Sequence, residues 1–270
     1  MTNDGAVLRK IAQELASIAQ MAGLLLKRMQ GRRLPARFKA PAELVTSADR
    51  TSHKILFREL SKRFAPTPII LEEQEHAAKL PQRYFVADEL DGTSVYSHGL
   101  PDWGLTLAYI DKGRPLAGVL HQPIRNATVI AWKDGGAWIR GKKISLNPTC
   151  SLANSVLLVE LNRHLRDKDF EWISRLASHV LVMRSLGTAV GSAFELILGH
   201  AGIYLNCRGA KVWDFAASVL AVQEAGGVAV KEDGGALDWS KLPIGVLLAA
   251  NPQIASDALS LAKSKRTRLD

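Results

Sequence analysis

The sequence predicts an α+β segment over residues 1–150 followed by an α/β segment over 151–270. Three observations carry this reading. Near the start, apolar residues recur at spacings of three and four. Between Pro66 and Lys133 they come in short runs separated by turn-forming residues, and after Pro148 the two patterns alternate. No internal repeat or low-complexity linker interrupts the chain, so the two segments are expected as tightly fused subdomains.

The first element is an amphipathic helix over Leu8 to Met29, with Leu8, Ile11, Leu15, Ile18, Ala22 and Leu25 on one face and Gly31 as its stop. A second helix is expected within Leu44 to Phe64, starting near Ser47 or Asp49. Ile69–Leu71 reads as a short strand running into Glu72 and Glu73, and Tyr84–Ala87 as another ending on Asp88. Leu105–Ile110, Leu116–Gln122 and Val129–Lys133 read as consecutive strands joined by turns. Beyond the seam, Val156–Val159 is strand-like, Lys168–Ser178 helical and Leu181–Arg184 a strand. Thr188–Leu198 is a helix, Ile203–Leu205 a strand, and Asp214–Ala225 a helix closed by Gly226-Gly227. Gly245–Ala250 is a last buried strand before a C-terminal helix.

With 47% hydrophobic and 23% charged residues, the 270-residue chain can build a substantial core. Two cysteines, Cys150 and Cys207, cannot make a disulfide framework, so a reducing cytoplasm is the expectation. Met1–Val7 carries Asp4 and does not read as a secretory segment. Runs such as Ile244–Ala250 fall far short of the roughly 20 apolar residues of a membrane helix, so no membrane role is expected. The net charge of +9 raises the question of nucleic acid. The basic residues concentrate at Lys27, Arg28, Arg32, Arg33, Arg37 and Lys39 and at Lys263, Lys265, Arg266 and Arg268. At a helix end and in a tail, these read as plain solvated surface, with attraction of anionic substrates as the alternative, and not as a polymer-binding site.

The informative segment is Asp88-Glu89-Leu90-Asp91-Gly92-Thr93-Ser94. A strand delivers Asp88, Leu90 can offer only its backbone carbonyl, and Asp91 follows at once. Hard divalent cations take oxygen ligands, and a tight turn with two carboxylates supplies them. If Thr93 and Ser94 open a helix, their amides form a phosphate seat. Alone, an Asp-Gly turn also fits an ordinary loop. Glu72-Glu73 would alone be solvated, and Asp214 in Trp213-Asp214-Phe215-Ala216-Ala217-Ser218 would alone be a helix cap.

Together these segments resemble the inositol monophosphatase family. The likeness runs from about Leu44 to Asn251 and takes in Glu224-Ala225-Gly226-Gly227, Leu100-Pro101, Gly118-Val119, Pro123, Gly135-Gly136-Ala137-Trp138 and Arg184-Ser185-Leu186-Gly187-Thr188-Ala189. The resemblance implies a layered αβαβα sandwich of the inositol monophosphatase and sugar phosphatase type, with the site between the two halves. It implies two or three Mg2+ ions per site, lithium sensitivity and a homodimer.

By position, the resemblance makes Glu72, Asp88, the Leu90 carbonyl, Asp91 and Asp214 metal ligands, with Glu72 also among the catalytic groups. Thr93 and Asp49 would orient the attacking water, and Gly92, Thr93 and Ser94 would hold phosphate. Gly187, Thr188 and Ala189 and the residues before Asp214, Cys207 and Arg208 among them, would meet the alcohol half of the substrate. The implied reaction is hydrolysis of a small soluble phosphate monoester, an inositol-1-phosphate-like or related polyol or sugar phosphate, by direct attack of a metal-activated water.

The sequence also departs from the family pattern. Cys207 stands where inositol phosphatases place a glutamate that binds ring hydroxyls. Glu89 replaces a usual proline and reads as an added charge pointing outward. Alternatives within the family are 3′(2′),5′-bisphosphate nucleotidase, fructose-1,6-bisphosphatase and histidinol-phosphatase. An alternative of another class is a catalytically idle binding or regulatory homologue. None of the seven histidines forms a metal-type pair, and neither a Gly-x-Ser-x-Gly elbow nor a Rossmann fingerprint is present.

Overall fold

A computed structural model describes residues 3–31, 36–40, 43–74, 80–147, 150–239 and 244–263. Arg32, Arg33, Lys265, Arg266 and Arg268 lie outside the described residues, as do the side chains of Arg37 and Lys39.

Helix α1 (Asn3–Met29) buries the predicted stripe, with Leu15, Ile18 and Ala22 fully covered, and stops where Gly31 adopts a φ of +81°. A hairpin of β1 (Ala36–Ala40) and β2 (Glu43–Thr46) follows, just ahead of the expected helix start. Helix α2 (Ser47–Phe64) starts at Ser47 because Thr46 caps it. The Thr46 hydroxyl accepts from the Ala48 amide at 3.1 Å, and the Asp49 carboxylate accepts the Thr46 amide at 2.7 Å.

Seven strands then form one sheet: β3 (Ile69–Leu71), β4 (Arg83–Asp91), β5 (Gly104–Asp111), β6 (Arg114–Gln122), β7 (Ala127–Trp132), β8 (Gly136–Ile139) and β9 (Lys142–Lys143), in that spatial order. Apart from the parallel β3–β4 pair, the neighbours are antiparallel. The short helix α3 (Thr93–Ser97) sits between β4 and β5.

The second sheet has the order β11-β10-β12-β14-β13, from β10 (Val156–Val159), β11 (Val182–Arg184), β12 (Ile203–Ala210), β13 (Val228–Val230) and β14 (Ile244–Ala249). Its helices are α4 (Asp167–Ala177), α5 (Ala189–Ile197), α6 (Val212–Glu224) and α7 (Pro252–Lys263).

The layering follows from the two apolar faces of β4, β5 and β6. Phe85, Ala87, Leu105, Leu107 and Val119 pack with α1 and α2. Tyr84, Val86, Ala108, Ile110 and Leu120 belong to the larger core around α5 and α6. Strands covered on both faces alternate between two cores, with a period of two. α6 touches both sheets, and α4 and α7 cover the outer face of the second. The stack is therefore α1/α2, seven strands, α5/α6, five strands, α4/α7, the expected αβαβα sandwich. The larger core runs from Tyr84 to Ala258 without a break at residue 150.

Candidate active site

Strand pairing brings the carboxylates together. Leu71 lies opposite Ala87 in the parallel β3–β4 ladder, and the Glu72 amide extends it by donating to the Ala87 carbonyl at 3.2 Å. Glu72 is thereby set beside Asp88. Asp88 lies opposite Thr106 on β5, and the Thr106 hydroxyl donates to the Trp213 carbonyl at the start of α6, which carries Asp214 to the same place.

Asp88 and Asp91 are three residues apart, so strict alternation would turn them to opposite faces. The β4–β5 register shifts between them: Asp88 pairs with Thr106 and Asp91 with Gly104, three steps on β4 against two on β5. The extra residue is a β-bulge, which restores both aspartates to one face. Gly104 is required opposite Asp91, because a Cβ there would come within 2.4 Å of the His121 carbonyl and 2.9 Å of Val190.

Asp91 is held from α5. Its Oδ2 accepts the Thr188 hydroxyl and the Val190 amide, both at 2.5 Å. Thr188 also accepts the Gly191 amide at 3.1 Å as the α5 cap and is only 2% exposed. Its hydroxyl thus positions a carboxylate. Ala189, the first residue of α5, is buried, and Gly187 (φ +70°) approaches Val95 of α3.

Gly92 takes a φ of +84°, which favours glycine, and so turns the chain into α3. That helix has five residues, so the local amides of Gly92, Thr93 and Ser94 would matter there more than any macrodipole. The Thr93 hydroxyl lies 2.8 Å from Asp49 Oδ1 and 3.1 Å from the Leu90 carbonyl. Asp49 is 2% exposed and is fixed through Oδ2 by the Thr46 amide and hydroxyl, at 2.7 and 2.6 Å. The Leu90 amide donates to Asp88 Oδ1 at 2.8 Å.

Burial raises Asp88 well above the usual carboxylate range, and the negative charges of Glu72, Asp91, Asp214 and Glu89 add to the rise. Asp214 is raised well above its usual range by burial, then by Glu72 and Asp91, although the Lys211 amide donates to its Oδ2 at 2.8 Å. Burial also raises Asp91, against the hydrogen bonds it accepts. Three desolvated aspartates with the half-buried Glu72 beside them form a poor anion cluster and a fitting cation cradle. Glu72 and Asp88 also present carboxylate oxygens within 4.8 Å of each other and of Glu89. The donors are all oxygen, which suits Mg2+ and disfavours soft metals.

Two substrate expectations are corrected. Cys207 is 1% exposed inside the larger core, and burial pushes its thiol up to about 12, so it presents nothing to a polyol. The Arg208 guanidinium is committed to Asp169, through Nε to Oδ2 and through Nη2 to Oδ1 at 3.2 Å. Glu89 is also corrected. It does not point outward but is 1% exposed, with Oε1 2.7 Å from His53 Nδ1.

The sequence reading missed Glu160, which follows β10. Burial raises it to about 8, helped by the charge of Asp91. Its signal was the one used for Glu72 and Asp88, an apolar strand ending on an acidic residue. Tyr204 is raised by burial and by Glu160, Asp91 and Asp214.

Comparison with known proteins places this arrangement. The inositol monophosphatase family profile matches residues 6–266. A "Fructose-1,6-bisphosphatase/inositol-1-monophosphatase" of Thermotoga maritima is 30% identical over 192 residues, 71% of this chain and 73% of that protein. A "Nus factor SuhB" of Pasteurella multocida is 30% identical over 248 residues, 90% of this chain and 91% of that protein. Among solved structures, the extragenic suppressor protein suhB of Bartonella henselae superposes with a TM-score of 0.88 at 26% identity, covering 95% of this chain and all of that one. The family profile over nearly the whole chain and the Thermotoga maritima relative show that the chain belongs to the inositol monophosphatase family, a family of Mg2+-dependent phosphatases.

Proposed function

We propose that this protein is a Mg2+-dependent phosphomonoesterase acting on a small soluble monoester of the inositol-phosphate, polyol-phosphate or sugar-phosphate type. One observation carries the reading: Asp88 shares a buried site with Glu72, Asp91 and Asp214, beside the Thr93–Asp49 hydrogen bond. In this reading Glu72, Asp88, the Leu90 carbonyl, Asp91 and Asp214 hold two or three cations. When bound, those cations neutralise the phosphate and make water acidic enough to attack. The protein's own groups do the rest. Thr93 accepts a hydrogen bond from the water while passing its own proton toward Asp49 Oδ1, and Asp49 is kept in place by Thr46. The amides of Gly92, Thr93 and Ser94 hold the phosphate oxygens, and the backbone of Gly187 and Ala189 borders the alcohol.

The Arg208–Asp169 pair supports a substrate with one phosphate over a bisphosphate, because the Arg208 guanidinium is already engaged. The open edge strand β11 supports a homodimer. A second reading, a binding role without catalysis, is favoured by the likeness to a Nus factor over 90% of the chain.

The test is phosphate release with and without Mg2+ from inositol 1-phosphate, fructose 1,6-bisphosphate, adenosine 3′,5′-bisphosphate and histidinol phosphate. Thr93→Ala and Asp49→Asn should each lower kcat by roughly 100-fold or more. No Mg2+-dependent release from any ester would remove the phosphatase reading and leave the binding role.

A further inference from the structure

We propose that Glu89 is an additional oxygen ligand, direct or through one water, to the divalent cation held by Glu72 and Asp88; this rests on the metal-site reading above. The residue stands in the β4 bulge between the two loop aspartates. Its side chain is 1% exposed. Oε1 is occupied, lying 2.7 Å from His53 Nδ1 and 3.3 Å from the Glu73 amide that donates to it. Oε2 is buried with no hydrogen-bond partner among the described residues.

One carboxylate oxygen each from Glu72, Asp88 and Glu89 lie within 4.8 Å of one another. Around a magnesium octahedron, neighbouring oxygens stand about 3 Å apart and opposite ones about 4 Å, so a small inward movement or a bridging water brings these three to the spacing of ligands on one ion. A buried anionic oxygen without a hydrogen-bond partner is unfavourable until a cation joins it or a proton neutralises it. His53 and the Glu73 amide then act as positioning groups that fix the carboxylate through its other oxygen. Ser52 helps by donating its hydroxyl to the Glu89 carbonyl at 2.8 Å, which ties the bulge to α2.

The experiment titrates Mn2+ into the full-length protein without substrate, reads free Mn2+ by electron paramagnetic resonance, and follows Tm with and without the ion. Glu89→Gln should weaken Mn2+ binding by roughly 10–100-fold, raise the Tm of the metal-free protein, and shrink the rise that Mn2+ produces. Glu89→Asp keeps the charge but withdraws the oxygens, and it too should weaken binding. Unchanged Mn2+ affinity in both variants would overturn the assignment. So would a lower metal-free Tm with an undiminished Mn2+ response, which would mark Glu89 as a structural partner of His53. If the wild-type protein binds no Mn2+, the metal-site reading itself fails, an outcome distinct from failure of Glu89 alone.

Discussion

His121 shows how burial of a single side chain sets a pH dependence away from the site. It is 3% exposed, its Nδ1 lies 3.1 Å from the Ala127 carbonyl and 3.0 Å from the Thr128 hydroxyl, and burial lowers its pKa to about 4. Because the folded value lies below the unfolded one near 6.5, the unfolded chain takes up the proton first as pH falls. Stability from neutral His121 is therefore full above about pH 6.5 and is lost progressively down to about pH 4, by roughly 3 kcal/mol in all. Because other groups titrate over the same range, the test is a difference: in urea denaturation at pH 7.5 and 4.5 the wild-type protein should lose roughly 2–3 kcal/mol more than His121→Gln. An equal pH response in both proteins would rule it out. The same scale shows what the sequence could reveal. Asp88, Asp91 and Asp214 were legible because each sits at a strand end or helix start in a recognisable string. The fates of Glu89 and Arg208 were not, since their partners His53 and Asp169 lie 36 and 39 residues away.

Elements with clear periodicity or apolar runs were readable to within a few residues: α1, α2, α4, α5, α6 and strands β3, β5, β6 and β10. The hairpin β1–β2 and the short strands β8, β9 and β13 were not, because two to five residues are too few to show a period. The β4 bulge is invisible to a pattern of two, although the Asp88–Asp91 spacing contained it. Strand β11 carries the element-scale prediction. It is an edge strand of the five-stranded sheet, and Leu181, Val182 and Met183 are 72, 46 and 40% exposed. A bare apolar edge invites pairing, and we infer that a second copy covers it. Light scattering should give twice the chain mass for the wild-type protein and a single chain mass for Leu181→Asp with Met183→Lys. A monomeric wild-type protein at micromolar concentration would contradict this.

At the scale of the whole molecule, the proposed cation ligands come from both parts of the stack. Glu72, Asp88 and Asp91 belong to the seven-stranded sheet, and Asp214 to the helix wedged between the sheets. On the proposed reading, a cation shared by these groups would clamp the layers together. The carboxylates also give the metal-free protein a pH response opposite to that of His121. Asp88 and Asp214 have folded pKa values raised above the unfolded ones, so the folded state holds their protons longer. Their favourable contribution is full below about pH 4 and is lost as pH rises toward the folded values. Mg2+ should offset that loss, so the gap between metal-loaded and metal-free stability should widen from pH 5 to pH 8, while His121 cancels in the comparison at each pH. At 100 times its dissociation constant, a ligand confined to the folded state contributes about 2.7 kcal/mol, or roughly 5–10 °C in Tm for a chain of this size. Asp214→Asn should cut that rise by more than half, because it removes the ligand from the second layer. A Mg2+-induced rise that is the same at both pH values, or untouched by Asp214→Asn, would show that the ion does not join the layers through these carboxylates.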